Sequence, residues 1–331
     1  MNKIKLSIII PTYNGGLWIK DTIESVASQM QQYIESVEFI VRDNASTDNT
    51  GEIVSELNLK YDGIINYERR KETAIADVNF KESILLASGE YIQLLGDDDL
   101  LFPSFIRNTI ELIDSNPGIG LIYYNRIATS REYEGASLKH DNPNSSFVHY
   151  YDGAKDFIRE YPSGPDFMSV NIVKRECLLN GLPFAKEKYY GVEWFSAILY
   201  GLQGHKCLSV FYPLILQRAP RVRTWDDRAL LYVIIGLDNM FEDLEVLYPG
   251  IYDIWNNYSI KNCSRFWYLT KCIPLNRSLY KSKTKELFPK LSTTNQMVAY
   301  LLIHFSISYY FFRFIYLCRK VAELVYIRKK N

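Results

Sequence analysis

Five apolar runs, each five or six residues long, recur through the first 125 residues with amphipathic segments between them. No other feature restricts the possible folds as strongly. Leu6–Ile10 is a β-branched run closed by Pro11, and Val37–Val41, Gly63–Tyr67, Tyr91–Leu95 and Ile119–Tyr124 follow the same pattern. Runs of this length without polar alternation read as strands buried on both faces. Between the first two, Trp18, Ile19, Ile23, Val26 and Ala27 recur at helical spacing. The spacing predicts further helices over 50–57, 79–87 (closed by Gly89) and 105–113. The alternation predicts an α/β fold with a mostly parallel, Rossmann-like sheet and helices on both faces.

The chain has 331 residues, 47% of them hydrophobic, enough for one large domain with an appendage or for two modest ones. Its formal net charge is zero, so no global basic field argues for nucleic acid as a partner. The N-terminal MNKIKLSIIIPTYN makes a poor signal peptide, and the expectation is a cytoplasmic chain. Five cysteines are scattered without CxxC spacing and read as reduced thiols, and four histidines form no zinc pattern. Beyond Arg126 the pattern weakens. A strand over 167–173, a helix over 189–200 with Glu193 near its start, and a strand over 207–216 are expected. The composition then shifts to aromatic-rich helical segments, which puts a boundary near residue 225.

In a parallel sheet covered on both faces, ligands bind beyond the carboxyl ends of the strands. Three polar clusters fall there. Pro11, Thr12, Tyr13 and Asn14 follow the first strand, Asp43 and Asn44 the second, and Asp97, Asp98 and Asp99 the fourth. Carboxylates in such a place suit a hard divalent cation, Mg²⁺ or Mn²⁺, that leaves positions open for phosphate oxygens. The plain alternative is a solvated acidic turn in which Asp99 caps a helix. Asp43, taken to face the crevice, and Asn44 have groups that suit a nucleobase edge. An Asx turn leading into a cap at Ser46–Asp48 is the alternative, and both can hold. Tyr13 either stacks on a base or packs.

The segments SIIIPTYN, DNASTDNT and ASGEYIQLLGDDDLLFP, in this order, resemble family 2 glycosyltransferases over roughly residues 4–220, and DVNFKESILLASGEYIQLLGDDDLLFP is closest to the abequosyltransferase-like branch of O-antigen and capsule enzymes. The resemblance implies a GT-A fold in which residues 1–125 bind a nucleoside-diphosphate sugar and residues 126–225 form the acceptor half. It implies that the first two clusters hold the nucleotide and that the aspartates hold the metal and the ribose or diphosphate. The commoner family pattern, counted back from Pro103, puts Gly96 at its first acid and favours Asp98 as metal ligand, with Asp99 beside it; Asp97-x-Asp99 is the shifted register. Asp77, two residues before Asn79, lies where many members carry an Arg-Asn pair; it is expected to contact the donor but brings no cation. The resemblance further implies transfer to an acceptor hydroxyl with inversion, the hydroxyl proton going to a carboxylate. Glu193 in YYGVEWFSAILYG holds that place, with Val192 where the family usually has a second acid. The alternative for Glu193 is a helix first-turn acid favoured by the dipole. Arg218, Arg221 and Arg223 in QRAPRVRTWDD either reach the diphosphate or are surface arginines.

The last stretch, Met297–Leu317, approaches the ~20 residues that span a bilayer, but His304, Ser306, Ser308 and Arg313 interrupt it. With Arg319, Lys320, Arg328, Lys329 and Lys330 following, residues 226–331 are expected to be helical and to lie on the inner face of the cell membrane, where a polyprenyl-linked acceptor would be met. A helical hairpin on the catalytic domain or in a homodimer is the alternative.

Overall fold

The computed structural model describes residues 3–129, 136–138, 147–162, 167–218, 229–262 and 265–305. The chain divides into two compact units. The first comprises Met1–Lys186 and Glu193–Arg221, the second Glu187–Val192 and Val222–Asn331.

In the first unit the strands are β1 (Leu6–Thr12), β2 (Val37–Asp43), β3 (Ile65–Arg69), β4 (Tyr91–Leu94), β5 (Leu100–Leu101), β6 (Leu121–Thr129), β7 (Ala136–Leu138), β8 (Val148–Tyr151), β9 (Asn171–Lys174) and β10 (Cys207–Gln217). They form one sheet in the order β3-β2-β1-β4-β9-β6-β10-β5, with β7 on β6 and β8 on β10. The β3-β2-β1-β4 block is parallel. Beyond it the sheet is mixed, because β9 runs antiparallel between β4 and β6, and β10 returns parallel to β6. All seven residues of β1 are buried, as two-sided cover requires.

The strand order places the site. From β1 the chain moves outward to β2 and β3 through α1 (Ile19–Met30) and α2 (Thr50–Lys60). It then crosses back through α3 (Ala76–Leu86) to β4 on the other side of β1. Right-handed crossovers in opposite directions put α3 on the opposite face from α1 and α2. Strand order reverses between β1 and β4, so the crevice opens at their carboxyl ends. Helix α1 seats Ile19, Ile23, Val26, Ala27 and Met30 in the core. Helix α4 (Phe105–Ser115) buries Phe105, Ile106, Ile110 and Ile113 in the same way, at 3.6-residue spacing.

Helices α5 (Ala154–Glu160), α6 (Arg175–Gly181) and α7 (Glu193–Gly201) follow. Backbone meets backbone between α6 and α7. A Cβ on Gly181 would lie 1.8 Å from the Ala197 carbonyl oxygen, and one on Gly201 1.8 Å from that of Cys177. Only glycine fits either position, and the pair fixes α7 and therefore Glu193 at its start. Cys177 and Cys207 are buried free thiols, pushed up to about 11 and about 12 by burial.

The second unit is helical. A π-helical segment, Leu231–Gly236, runs into α8 (Leu237–Leu244), followed by α9 (Ile251–Asn262), α10 (Arg265–Leu275), α11 (Arg277–Ser282), α12 (Thr284–Leu287) and α13 (Thr293–His304). Phe241 stacks on Trp255 at 5.0 Å, and the indole N–H of Trp255 donates to Asp238 at 2.7 Å. Residues 187–192, which the sequence reading assigned to the first unit, belong to this one. The stretch expected at a membrane surface divides. Met297–His304 is the second half of α13, capped at its start by Ser292, and its Val298, Ala299, Leu302 and Ile303 lie in the unit's core. Residues 306–331 lie outside the described residues. No helix among the described residues is long and apolar enough to cross a membrane.

Candidate active site

The two central strands end in a direct contact. The Thr12 hydroxyl donates to Asp97 Oδ2 at 2.6 Å, and Thr22 Oγ donates to the Asp97 carbonyl oxygen at 2.9 Å. Gly15 permits this approach. A Cβ there would sit 2.4 Å from Thr12 Oγ1 and 2.6 Å from Asp97 Oδ2. Burial pushes the Asp97 carboxyl up to about 6; the Asp98 charge adds to this, and hydrogen bonds from Thr12 and the Tyr13 backbone oppose it.

The three aspartates have different surroundings. Asp97 and Asp98 are half-buried at the strand's end. Asp99 turns inward and is 2% exposed; its Oδ2 accepts from the Ser169 hydroxyl at 2.5 Å and its Oδ1 from the Arg218 backbone N–H at 3.2 Å. Burial, with the Asp98 charge, holds its carboxyl well above the usual range. The structure turns Asp99, expected beside Asp98 as a metal ligand, inward, with one hydrogen bond accepted at each of its oxygens. Asp99 instead ties the aspartate turn to the segment before β9 and to the end of β10. The same Ser169 hydroxyl accepts from Gly96 N–H at 2.9 Å. Among the described residues no group of three His, Cys, Asp or Glu side chains could enclose a metal ion. Asp97 and Asp98 fit the other kind of site, in which one or two carboxylates hold a hard cation and diphosphate oxygens and water complete its shell.

At the end of β2, Asp43 is completely buried. Its Oδ1 accepts from Ser46 N–H at 2.8 Å and its Oδ2 from the Tyr67 hydroxyl at 2.6 Å, with Arg69 Nε at 3.6 Å. The expectation that Asp43 faces the crevice is corrected; it closes the loop as an Asx-type turn. Asn44 is also turned inward. Its amide and the Ala74 backbone exchange two hydrogen bonds, at 2.8 and 2.9 Å, while its own N–H donates to Thr12 O at 2.9 Å. Asn14, in the left-handed region at φ 55°, joins the same loop: its N–H donates to Ser46 Oγ and its side chain accepts from Thr47 N–H. Pro11 is buried in β1. The Tyr13 ring is 49% exposed, the one aromatic of this cluster placed to meet a ligand's flat face.

These contacts run along one sheet edge. Asp97 bonds Thr12, Thr12 bonds Asn44, and Asn44 clamps Ala74 two residues before α3. Asp77, in the first turn of α3, lies in side-chain contact with Glu193, the first residue of α7. One set of contacts thus joins Asp97, Thr12, Asn44 and Ala74, and a separate one joins Asp77 and Glu193. Burial raises the Asp77 carboxyl above its usual value, opposed by the Glu193 bond.

Arg218 is a residue whose place the sequence left open. It is buried at 4% exposure, its guanidinium 4.7 Å above the Trp18 ring and its Nη2 3.0 Å from Asp21. Arg221 and Arg223 lie outside the described residues. Ser169 was missed; nothing near it in the sequence marks a serine that serves a carboxylate seventy residues earlier.

The sheet reverses strand order between β1 and β4, and the acidic turn follows β4 directly. The family model described as "Glycosyl transferase family 2" matches residues 7–174, and the chain belongs to that family. It is 32% identical over 116 residues to abequosyltransferase RfbV of Salmonella typhimurium, covering 35% of this chain and 34% of that protein. It is 28% identical over 194 residues to the GalNAc(5)-diNAcBac-PP-undecaprenol beta-1,3-glucosyltransferase of Campylobacter jejuni, covering 57% of each. The chain thus spans between a third and three fifths of these relatives. The fold is shared with S. aureus TarS 1-349 in complex with UDP (TM-score 0.60, 14% identity, 92% of this chain and 88% of that one). It is also shared with mannosyltransferase PcManGT from Pyrobaculum calidifontis in complex with GDP-Man and Mn²⁺ (TM-score 0.55, 14% identity, 92% and 86%).

Proposed function

We propose that this glycosyltransferase moves a hexosyl or deoxyhexosyl group, with inversion, from a nucleoside-diphosphate sugar to an acceptor hydroxyl on a polyprenyl-linked saccharide in bacterial surface polysaccharide synthesis. The observation that supports the reading is the half-buried pair Asp97 and Asp98 just beyond β4, tied to the end of β1 through Thr12 where strand order reverses. Relatives named for an abequosyl group and for an undecaprenol-linked glycan support the substrate class.

The nucleotide is taken between Tyr13 and the loop closed by Asp43, Asn44 and Asn14. The diphosphate lies over the β1–β4 switch, with Asp98, supported by Asp97, at the metal position. A Mn²⁺ or Mg²⁺ ion held there supplies charge neutralisation to the departing diphosphate. Glu193 accepts the acceptor hydroxyl's proton as that oxygen attacks the anomeric carbon from the face opposite the diphosphate. Residues 1–125 serve the donor and 126–225 the acceptor. Residues 226–331 bring the chain to the inner membrane surface, the basic residues from Arg319 onward meeting anionic lipid; a homodimer through this region is the second arrangement.

Replacing Glu193 with Gln keeps size and hydrogen-bonding capacity while removing the base. Turnover should fall by about 10²–10⁴-fold with donor KM unchanged. Product from the wild type should have the anomeric configuration opposite to the donor's, read by proton NMR. A retained configuration, or full turnover by the Glu193→Gln variant, would overturn this mechanism.

A further inference from the structure

The contact between Asp77 and Glu193 joins two carboxyl groups from segments of the first unit far apart in sequence. Each opens a helix, Ala76–Leu86 and Glu193–Gly201, and α3 packs against α7, α6 and β1. Helix N-termini favour negative charge, yet two carboxylates within hydrogen-bond reach repel, and the bond between them exists only when one carries a proton. Asp77 Oδ1 is buried without a hydrogen-bond partner.

The other charged side chains nearby are engaged elsewhere. On α3, Glu82 pairs with Arg42 and Arg70, and Lys81 is exposed. On α6, Arg175 Nε donates to the Ala87 carbonyl and Glu176 pairs with Lys174. Helix α7 has no charged residue besides Glu193, and β1 has none. The Asn44–Ala74 clamp before α3 holds Asp77, and the close packing of α6 on α7 holds Glu193.

We propose that Asp77 and Glu193 work as one proton-sharing pair, with Asp77 the positioning residue that orients Glu193 and raises its basicity. This rests on the reading of Glu193 as the base and assigns Asp77 to Glu193 rather than to the donor. In the reactive form both carboxyls are ionised and the bond between them is absent; mutual repulsion favours uptake of one proton, which forms it. In the transfer the acceptor O–H bond breaks and its oxygen bonds the anomeric carbon. The anomeric C–O bond breaks with its electron pair leaving on the diphosphate. The proton ends on Glu193, hydrogen-bonded to Asp77. The second carboxyl that position 192 lacks, where the buried Val192 stands, is thereby supplied from α3.

The test compares Asp77→Asn, Asp77→Glu and Glu193→Gln in the full chain. An Asn at 77 donates to the Glu193 carboxylate and makes it less basic. The acid limb of the kcat profile should move down by about one pH unit. At neutral pH kcat should fall by about tenfold with donor KM unchanged, and Asp77→Glu should restore part of it. The double variant Asp77→Asn/Glu193→Gln should be no slower than Glu193→Gln alone, as for residues that act as a unit. Carboxyl-carbon NMR of ¹³C-Glu-labelled protein, with Glu193 assigned by its loss in the Gln variant, reads its titration without turnover. An unmoved titration and acid limb in Asp77→Asn, multiplying penalties, or an effect confined to donor KM would overturn the pair. A shifted titration in a protein that releases no nucleoside diphosphate would instead sink the transferase reading and leave the pair standing.

Discussion

Asp99→Asn and Asp98→Asn change adjacent carboxylates in the same way and should have opposite effects. Asp99 accepts from Ser169 Oγ and from Arg218 N–H, with 2% exposure. An Asn at 99 keeps one carbonyl oxygen for the Arg218 amide, but its NH₂ can only donate to the serine hydroxyl, which already accepts from Gly96 N–H and whose own O–H then loses its acceptor. One bond survives and one buried hydroxyl donor is left unpaired, so stability should fall by about 1–3 kcal/mol, or about 2–10 °C in melting temperature for a unit of this size. Asp99→Ala leaves two buried donors unpaired. At about 1–3 kcal/mol each this costs about 2–6 kcal/mol and lowers the melting temperature by at least about 5 °C. Asp98→Asn should leave melting unchanged and abolish Mn²⁺ binding in the presence of nucleoside diphosphate. Calorimetric titration with Mn²⁺ and thermal melts on the three variants decide the matter. If Asp99→Asn lost the metal as completely as Asp98→Asn, the separation of a structural from a metal-facing aspartate would be refuted.

Three further outcomes are expected. Gly181→Ala puts a methyl 1.8 Å from the Ala197 carbonyl oxygen, so α6 and α7 must part; urea unfolding should show a loss of about 3 kcal/mol or more, and transfer activity should fall with it. Asp97, with its carboxyl pushed up to about 6 mainly by burial, binds more protons folded than unfolded between about pH 4 and 6. Its contribution therefore makes the fold less stable as pH rises through that window, by on the order of 3 kcal/mol in all, and Asp97→Asn should flatten the slope in melts across it. Truncation after Phe305 spares α13 and its core residues and removes the basic tail; the shortened protein should stay folded by circular dichroism but no longer sediment with anionic vesicles, and continued sedimentation would place membrane affinity elsewhere.

The sheet was legible where burial on both faces writes itself into consecutive residues. Leu6–Ile10, Val37–Val41 and Tyr91–Leu94 needed no partner to be recognised, and the strand-end acids followed from them. The mixed half was less so: β9 pairs antiparallel with two strands distant in sequence, and its four residues do not reveal direction. The site was legible by residue type and not by orientation. Asp97, Asp98 and Asp99 are equivalent in one dimension, and only Ser169 and Arg218, about 70 and 120 residues away, separate the last from the other two. Asp43 likewise reads as a ligand until Tyr67 and Ser46 are seen to occupy it. The Asp77–Glu193 contact depends on the α3–α7 packing, which no local pattern encodes.

The central claim is a metal-held nucleoside-diphosphate sugar at the β1–β4 switch, and its most direct test is a panel of UDP-, GDP-, CDP- and TDP-sugars offered to the purified chain with Mn²⁺, with Mg²⁺ and with chelator. The account predicts that one donor releases its nucleoside diphosphate with either metal, and that chelation or Asp98→Asn stops the release. Release that continues at full rate under chelation, or a folded chain that neither binds nor hydrolyses any of these donors, would contradict it.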